Sequence, residues 1–209
     1  MYNEKQMSTT FQKNGSTLVK NILSKDICEF LTNVFLRMHH NNVLTGIRNS
    51  DNQVTGALVT LSSNPYNDTF LETVWPIAEK IAGEELIPTY SFARLYCNGN
   101  VLKPHIDRES CEVSITIQLA KSHNYIWPIY TEGTQYDLEV GDAMMYLGCE
   151  KSHWREECKG PNEYYSGQLF LHFVKANGKF KSFAGDRRWR KDMPFVRNRM
   201  KQSETNILS

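Results

Sequence analysis

The pattern of apolar and polar residues divides the chain into a helical first part and a β-rich second part. After about twelve polar residues, which are expected to be frayed, apolar residues recur at helical spacing from Ser24, whose hydroxyl can cap the first turn. A second helix is predicted over residues 68–82, with a break or kink near Thr73 because Pro76 lies inside the pattern. Between the two helices, the short β-branched run at residues 55–61 predicts a strand.

From Pro88 onward the sequence pattern is that of short strands separated by turn residues. Five segments are predicted as strands, at residues 90–96, 112–120, 125–130, 142–148 and 168–175. Within the second segment the apolar side chains point to one face, and Ser114, Thr116 and Gln118 point to the other. Short strands after a helical start predict a mainly β fold, with helices packed against an antiparallel sandwich or barrel.

The length of 209 residues predicts a single domain. Its parts are an N-terminal helical support (1–87), a β core (88–175) and a basic C-terminal segment (176–209). The hydrophobic share of 40% is that of an ordinary globular protein, and the net charge of +1 predicts no strong overall attraction to nucleic acid or membranes. No apolar run approaches the roughly 18 residues that span a bilayer.

Cysteine usage and the first residues bear on location. Five cysteines occur without CxxC spacing, which predicts reduced thiols and argues against a cysteine-based zinc site. The opening stretch MYNEKQMSTT lacks the apolar run of a secretory signal. Both observations predict a cytoplasmic protein.

One short motif raises the question of metal chemistry. In LKPHIDRES, His105 and Asp107 lie two positions apart, so on an extended chain their side chains point the same way, within reach of one ion. An isolated pair of this kind is more often an ordinary strand end. Downstream, His153 follows a turn, a strand and a short loop. A His-x-Asp pair with a distant histidine on a β scaffold is the ligand set that leaves coordination positions open on iron(II).

The other histidines serve as comparisons. His39 and His40 end the first predicted helix, where an imidazole interacts favourably with the helix dipole. His123 lies in a turn-like stretch and is expected at the surface. His172 lies in the last predicted strand, where it either packs in the core or faces a pocket.

Three segments together resemble a known family: FARLYCNGNVLKPHIDRESCEVSITIQL, LEVGDAMMYLGCEKSHWREE and GQLFLHFV. They are similar to the iron(II)- and 2-oxoglutarate-dependent oxygenases, most of all to the prolyl-hydroxylase-like branch of bacteria and viruses. The resemblance covers roughly residues 88–175. It implies a double-stranded β-helix, or jelly-roll barrel, with the N-terminal helices packed on one sheet. It also implies His105, Asp107 and His153 as iron ligands, 2-oxoglutarate as cosubstrate and ascorbate as an accessory reductant.

A buried cosubstrate carboxylate needs a cation and hydroxyl donors. The resemblance implies a basic residue on the strand after the distal histidine, but the corresponding stretch NEYYSGQL contains none. Arg155 is the first candidate to replace it, because an extended chain places it on the same face as His153. Arg94 is the second, Tyr96 matches the family's cosubstrate tyrosine, and Gln118 points inward by alternation. For either arginine the alternative is a surface ion pair with nearby glutamates.

The resemblance implies hydroxylation of a substrate C–H bond. By analogy of fold alone, the leading substrate class is a prolyl or other amino-acid residue in a protein or peptide, and a small molecule is the second. Arg108 and Lys103 flank the metal motif and are expected to line its mouth or meet the substrate.

The basic C-terminal segment leaves a further alternative open. Ten lysines and arginines lie between residues 175 and 201, interleaved with Phe180, Phe183, Trp189 and Phe195. Such a mixture can bind nucleic acid through phosphate contacts and base stacking, although we favour packing of the aromatic residues on the barrel. Two rival functions therefore remain: a non-enzymatic, cupin-like metal-binding jelly roll, and a nucleic-acid-binding or nucleic-acid-modifying protein.

Overall fold

A computed structural model describes residues 4–40, 54, 58–59 and 65–187. Within these residues, helices α1, α2 and α3 cover Glu4–Asn14, Lys25–His40 and Pro65–Ala82. Strands β1 to β10 are Ser16–Val19, Leu58–Val59, Leu86–Cys97, Leu102–His105, Val113–Lys121, Ile129–Thr131, Thr134–Tyr136, Ala143–Tyr146, His153–Arg155 and Tyr165–Lys175. Short 3-10 turns lie at Glu109–Cys111 and Lys181–Arg187.

The strands form two antiparallel sheets. The major sheet has the order β1-β8-β5-β10-β3-β2, and the minor sheet has the order β4-β9-β6-β7. Side chains join the sheets: the hydroxyl oxygen of Ser16 in β1 lies 2.8 Å from that of Tyr136 in β7. The predicted mainly β jelly roll with flanking helices is confirmed. The described strands form two facing sheets and not a single closed barrel.

The main hydrophobic core lies between the helices and the outer face of the major sheet. The four apolar residues of β5 that the alternation places on one face are buried there with side chains of α2 and α3; they are Val113, Ile115, Ile117 and Leu119. Ser114, Thr116 and Gln118 point to the other face, as predicted, and the Ser114 hydroxyl reaches the loop after β4. The space between the two sheets therefore has polar walls, which suit a functional site.

Helix α1 contradicts the prediction that the first residues are frayed. It runs from Glu4 to Asn14 and packs against α3 and β1. Its sequence is polar except for Met7 and Phe11, and Phe11 is 4% exposed within the main core. Tertiary packing of an anchoring aromatic side chain outweighs the weak local signal, since most helical stability in proteins comes from such packing.

Phe11→Ala is expected to destabilise the protein by about 3–5 kcal/mol, because it removes a buried aromatic ring and leaves a cavity. The measurement is the free energy of unfolding in urea. Lys13→Ala, at an exposed position of the same helix, is the control and is expected to change that energy by less than about 0.5 kcal/mol. Equal effects of the two substitutions would show that α1 does not contribute to the core.

The other two helices are close to their predictions. The Ile27 N–H donates to the Ser24 hydroxyl at 3.3 Å, which confirms the N-cap of α2. Helix α3 starts at Pro65 and runs unbroken through Pro76, so the expected break is absent. Its face toward the core, which includes Leu71 and Trp75, supplies packing that offsets the roughly 3 kcal/mol cost of an internal proline.

Two of the predicted strands are longer than the strands that the structure describes. Strand β6 begins only at Ile129, so the predicted strand at 125–130 is wrong for its first four residues. Backbone groups of this stretch form other hydrogen bonds. The Trp127 carbonyl accepts from the Arg155 guanidinium, and the Tyr125 N–H donates to the His123 carbonyl. Of the predicted strand at 55–61, residues 58–59 form β2, and the others lie outside the described residues.

The C-terminal segment is described as far as residue 187. The turn Lys181–Arg187 packs against β3 and β10, and the half-buried rings of Phe180 and Phe183 lie 6.4 Å apart. Trp189, Phe195 and the basic residues from Arg188 onward lie outside the described part of the chain. None of the helices that the structure describes has the length and apolar character to cross a membrane.

Truncation before Phe180 is expected to lower the melting temperature by about 4–8 °C, because it removes two half-buried rings and the turn that packs against β3 and β10. A second truncation after residue 187 keeps the described packing and serves as the control. The contrary result would be that the protein without residues 180–209 melts at the same temperature as the full chain. Its affinity for oligonucleotides, measured at low and at high salt, would at the same time be lower than that of the full chain. This result would favour a partner-binding role for this segment.

Candidate metal centre

Two antiparallel strands of the minor sheet bring the three candidate ligands together. His105 ends β4, His153 begins β9, and the two residues are cross-strand neighbours in the ladder. Asp107 follows β4 in a loop whose backbone is fixed by a 2.8 Å hydrogen bond from its N–H to the Gly148 carbonyl. Residues that are 48 positions apart in sequence therefore share one site.

The ligand atoms converge on one point. Oδ1 of Asp107 lies 3.7 Å from Nε2 of His105 and 3.6 Å from Nε2 of His153. The rings of the two histidines have centroids 4.2 Å apart. The ligand atoms of all three residues lie within 4.8 Å of one another, which is the spacing of side chains that can share an ion.

The tautomers of both histidines suit a metal. Nδ1 of His105 lies 2.7 Å from the Lys103 carbonyl, and Nδ1 of His153 lies 3.0 Å from the Lys151 carbonyl. A carbonyl only accepts, so each Nδ1 carries the proton and each Nε2 presents a lone pair. Such second hydrogen bonds orient metal-binding histidines in proteins.

The charges of the site also suit a cation. Burial lowers the pKa of His153 to about 4, and burial together with the nearby His153 lowers the pKa of His105, so both rings are neutral at pH 7. Burial raises the pKa of Asp107 to about 6. A divalent cation would offset that burial by stabilising the carboxylate. Two neutral imidazoles and one carboxylate, held together, fit a divalent metal.

Gly148 is a site residue that the sequence analysis did not single out. A Cβ at this position would meet the Cys111 carbonyl oxygen and lie 2.6 Å from Oδ2 of Asp107. The loop that delivers Asp107 therefore requires a glycine here. The sequence shows only a glycine after a strand, which is common and carries no specific signal.

A cavity of about 390 Å³ opens beside the three candidate ligands, between the two sheets. Three of the four predicted cosubstrate residues line it: Arg155, Arg94 and Tyr96. Gln118 is not part of its wall. The Gln118 amide donates to the Ser166 hydroxyl at 2.9 Å and accepts from the Gln168 amide at 2.5 Å, so the structure does not bring it to the cavity.

Arg155 lies in β9, two residues after His153, and is only 1% exposed. Nη1 of Arg155 donates to the Trp127 carbonyl, and the guanidinium lies 4.9 Å from the centre of the Trp127 ring. Nη2 has no hydrogen-bond partner among the described residues. Burial lowers the pKa of Arg155. A surface ion pair, the alternative role for Arg155, is therefore wrong, and the site contains a buried donor suited to an anion.

Arg94 and Tyr96 line the cavity from β3. The guanidinium carbon of Arg94 lies 5.4 Å from the Phe92 ring centre and 5.7 Å from that of Tyr96. The Tyr96 ring meets Trp127 edge-on at 5.1 Å. Arg94 is 8% exposed, so it too is a cavity residue rather than a surface one.

Arg108 connects the metal motif to the C-terminal turn. Its guanidinium donates two hydrogen bonds to the Asp186 carboxylate, at 3.0 and 3.1 Å, and lies 4.5 Å from the centre of the Tyr90 ring. Arg108 lines the cavity, as predicted, whereas Lys103 is exposed. His123 is at the surface with its ring near Ser122, as expected, and His172 faces the cavity.

Comparison with known proteins identifies the fold. No protein-family model matches the sequence, and no curated protein sequence matches it significantly. Solved structures do match. A prolyl-4-hydroxylase from Pseudomonas putida superposes with a TM-score of 0.64 over 82% of this chain and 98% of its own, at 14% identity.

Two further structures give the same result. A prolyl hydroxylase from Trichoplax adhaerens, in complex with a peptide fragment of the hypoxia inducible factor oxygen degradation domain, has a TM-score of 0.62 over 81% of this chain and 88% of its own, at 13% identity. HygX from Streptomyces hygroscopicus, with nickel and 2-oxoglutarate bound, has a TM-score of 0.61 over 82% and 87%, at 9% identity. The chain therefore has the fold of the iron(II)- and 2-oxoglutarate-dependent oxygenases. The solved structures that share this fold include prolyl hydroxylases, the branch that the sequence resembles.

Proposed function

We propose that this protein is an iron(II)- and 2-oxoglutarate-dependent dioxygenase that hydroxylates a substrate C–H bond. The observation that carries the proposal is the convergence of two histidine Nε2 atoms and one carboxylate oxygen at the wall of a cavity that also contains a fully buried arginine. A purely structural metal site would not need the cavity or the arginine.

In this proposal His105, Asp107 and His153 hold the iron. Bound iron(II) supplies the dioxygen chemistry, in which 2-oxoglutarate is converted to succinate and carbon dioxide while the substrate gains a hydroxyl group. The protein's own contribution is to hold these three side chains together at the cavity wall, and a ligand set of this kind would leave coordination positions open on the metal. The two sheets form the walls of that space and so limit the contact of the site with water.

Arg155 is proposed to bind the far carboxylate of 2-oxoglutarate. Its unpartnered Nη2 and its planar guanidinium suit a carboxylate, and its burial makes such a pair strong. Arg94 is the alternative for this role, and Tyr96 is a hydroxyl donor in the same wall. Ascorbate is proposed only as an accessory reductant.

The proposed substrate is an amino-acid residue within a polypeptide, with proline as the first candidate. The structural neighbours include the two prolyl hydroxylases described above, one of them bound to a peptide. A cavity of about 390 Å³ has room for the cosubstrate and one side chain, at the small end of ligand sites. Ile106, between two of the proposed ligands, is 56% exposed. An exposed apolar side chain at this place suits contact with a peptide.

The test is mass spectrometry of the protein incubated with iron(II), 2-oxoglutarate, oxygen and pooled peptides. Succinate formation and a peptide mass increase of one oxygen atom are expected. A cupin-like binding protein would form no succinate with any probe. Inclusion of single-stranded oligonucleotides in a parallel pool separates the second rival function, because oxidation would then appear on the oligonucleotide.

A further inference from the structure

His172 is a buried cavity residue that the proposed ligand and cosubstrate roles do not use. It lies in β10 opposite Ser114 of β5 and is 3% exposed. Its Nδ1 lies 2.9 Å from the Ser114 hydroxyl oxygen. Nε2 of the same ring has no hydrogen-bond partner among the described residues. Within the described part of the chain, the hydrogen bond of this ring is therefore the contact with Ser114.

The direction of that hydrogen bond follows from the other neighbours of Ser114. Its hydroxyl oxygen lies 3.1 Å from Oδ2 of Asp107 and 3.2 Å from the Cys111 carbonyl oxygen. A carboxylate and a carbonyl can only accept, so the single hydroxyl proton is directed to them. The oxygen of Ser114 must then accept from His172, which places the His172 proton on Nδ1.

The His172 ring is neutral and held in one orientation. Burial lowers its pKa to about 3, and the nearby positive charge of Arg108 acts in the same direction. The ring lies 4.5 Å from the Tyr90 ring and 5.7 Å from the Phe92 ring, centre to centre. Two aromatic neighbours fix the plane of the imidazole and so the direction of its N–H.

These contacts form a chain that ends on a proposed iron ligand. The His172 N–H meets the Ser114 oxygen, and the Ser114 hydroxyl meets Oδ2 of Asp107. The other carboxylate oxygen, Oδ1, is the atom that faces the two histidine Nε2 atoms. The hydrogen bond from the hydroxyl to Oδ2 restrains rotation of the carboxylate and so holds Oδ1 on the side of the two histidines.

We propose that His172 is a positioning residue for the metal centre, which acts through Ser114 to hold Asp107 with Oδ1 turned toward the metal. This inference rests on the ligand set of the proposed function. Hydrogen-bonded groups behind metal ligands commonly change metal affinity by about 10- to 100-fold when they are removed. The role differs from a packing role, because it requires the hydrogen bond from Nδ1 to Ser114, whereas packing against Tyr90 and Phe92 requires only a ring.

His172→Phe separates the two roles. Phenylalanine preserves a ring between Tyr90 and Phe92. It removes Nε2, which has no partner among the described residues, but also the Nδ1–H that donates to Ser114. These two effects on stability oppose each other, so the melting temperature in the presence of a chelator is expected to change little. Affinity for cobalt(II), measured by calorimetric titration of the full chain, is expected to fall about 10- to 100-fold. His123→Phe, at an exposed histidine, is the control for the loss of an imidazole.

Ser114→Ala provides a second variant and a coupling test. It removes the hydroxyl group that links His172 to Asp107 and changes little else, because the side chain is small. The affinity of this variant for cobalt(II) is expected to fall as in His172→Phe. The double variant is expected to bind cobalt(II) no more weakly than Ser114→Ala alone, because the two residues act through one contact. Additive losses would overturn the inference, as would wild-type affinity in His172→Phe.

Failure of the ligand set gives a different result. If the wild-type protein and Asp107→Ala bind cobalt(II) equally, Asp107 is not a ligand and the proposed function loses its metal site. If Asp107→Ala abolishes binding while His172→Phe binds like the wild type, the ligand set stands and the positioning role is wrong. A lower melting temperature of His172→Phe in chelator, with unchanged cobalt(II) affinity, would assign His172 to packing alone.

Discussion

His153→Ala is expected to abolish succinate formation and to reduce iron(II) affinity by more than about 100-fold, because even the residues behind a ligand are worth 10- to 100-fold. The imidazole is 2% exposed and donates to the Lys151 carbonyl, so its removal also leaves a small cavity. Stability alone therefore cannot report on the metal. The informative quantity is the rise in melting temperature when iron(II) is added without oxygen, which measures metal binding to the folded chain.

The wild-type protein is expected to gain melting temperature with iron(II), and the variant to gain none. His123→Ala is the control: it removes an exposed histidine and leaves the three candidate ligands intact. A His153→Ala protein with full succinate formation would remove His153 from the ligand set. In that case the metal site would have to be sought elsewhere in the cavity wall.

Arg155→Ala is expected to weaken 2-oxoglutarate binding by about 3–5 kcal/mol, the cost of leaving a buried charge without its partner. That energy corresponds to a loss of affinity of roughly 100- to several-thousand-fold. The reason is the position of the guanidinium: it is 1% exposed, and its Nη2 is free to meet a carboxylate. The measurement is calorimetric titration of the anaerobic iron(II) protein with 2-oxoglutarate.

Two further variants define the role of Arg155. Arg155→Lys keeps the charge but loses the planar pair of donors, so an intermediate loss is expected. Lys103→Ala removes an exposed charge near the metal motif and is expected to have no effect on cosubstrate affinity. If Arg94→Ala shows the large loss and Arg155→Ala does not, Arg94 holds the carboxylate instead.

The order of apolar and polar residues predicts those helices and strands in which buried positions recur at a regular spacing. The alternation along β5 assigns each side chain to the correct face, because every apolar residue there meets the same core. Helix α1 escapes prediction for the opposite reason. Its polar sequence contains few apolar positions, and its packing partners in α3 and β1 are defined only by the tertiary fold.

The candidate site shows the same division. The two-residue spacing of His105 and Asp107, and of His153 and Arg155, is visible in the sequence because each pair shares an extended segment. The engagement of Gln118 by Gln168 depends on the pairing of β5 with β10. The same strand pairing places His172 beside Ser114. Register between distant strands cannot be inferred from the pattern of either strand alone.

The position of β10 in the major sheet has a consequence for how the chain folds. It is the last described strand in sequence, yet it lies in the middle of the sheet, between β5 and β3. Until residues 165–175 are inserted, the sheet consists of two halves with unpaired edges, which favour association with other chains. Pairing between distant segments also makes folding slow. During synthesis, therefore, the sheet that supports the cavity cannot close until residue 175 has left the ribosome, and up to that moment the nascent chain depends on being kept apart from its neighbours.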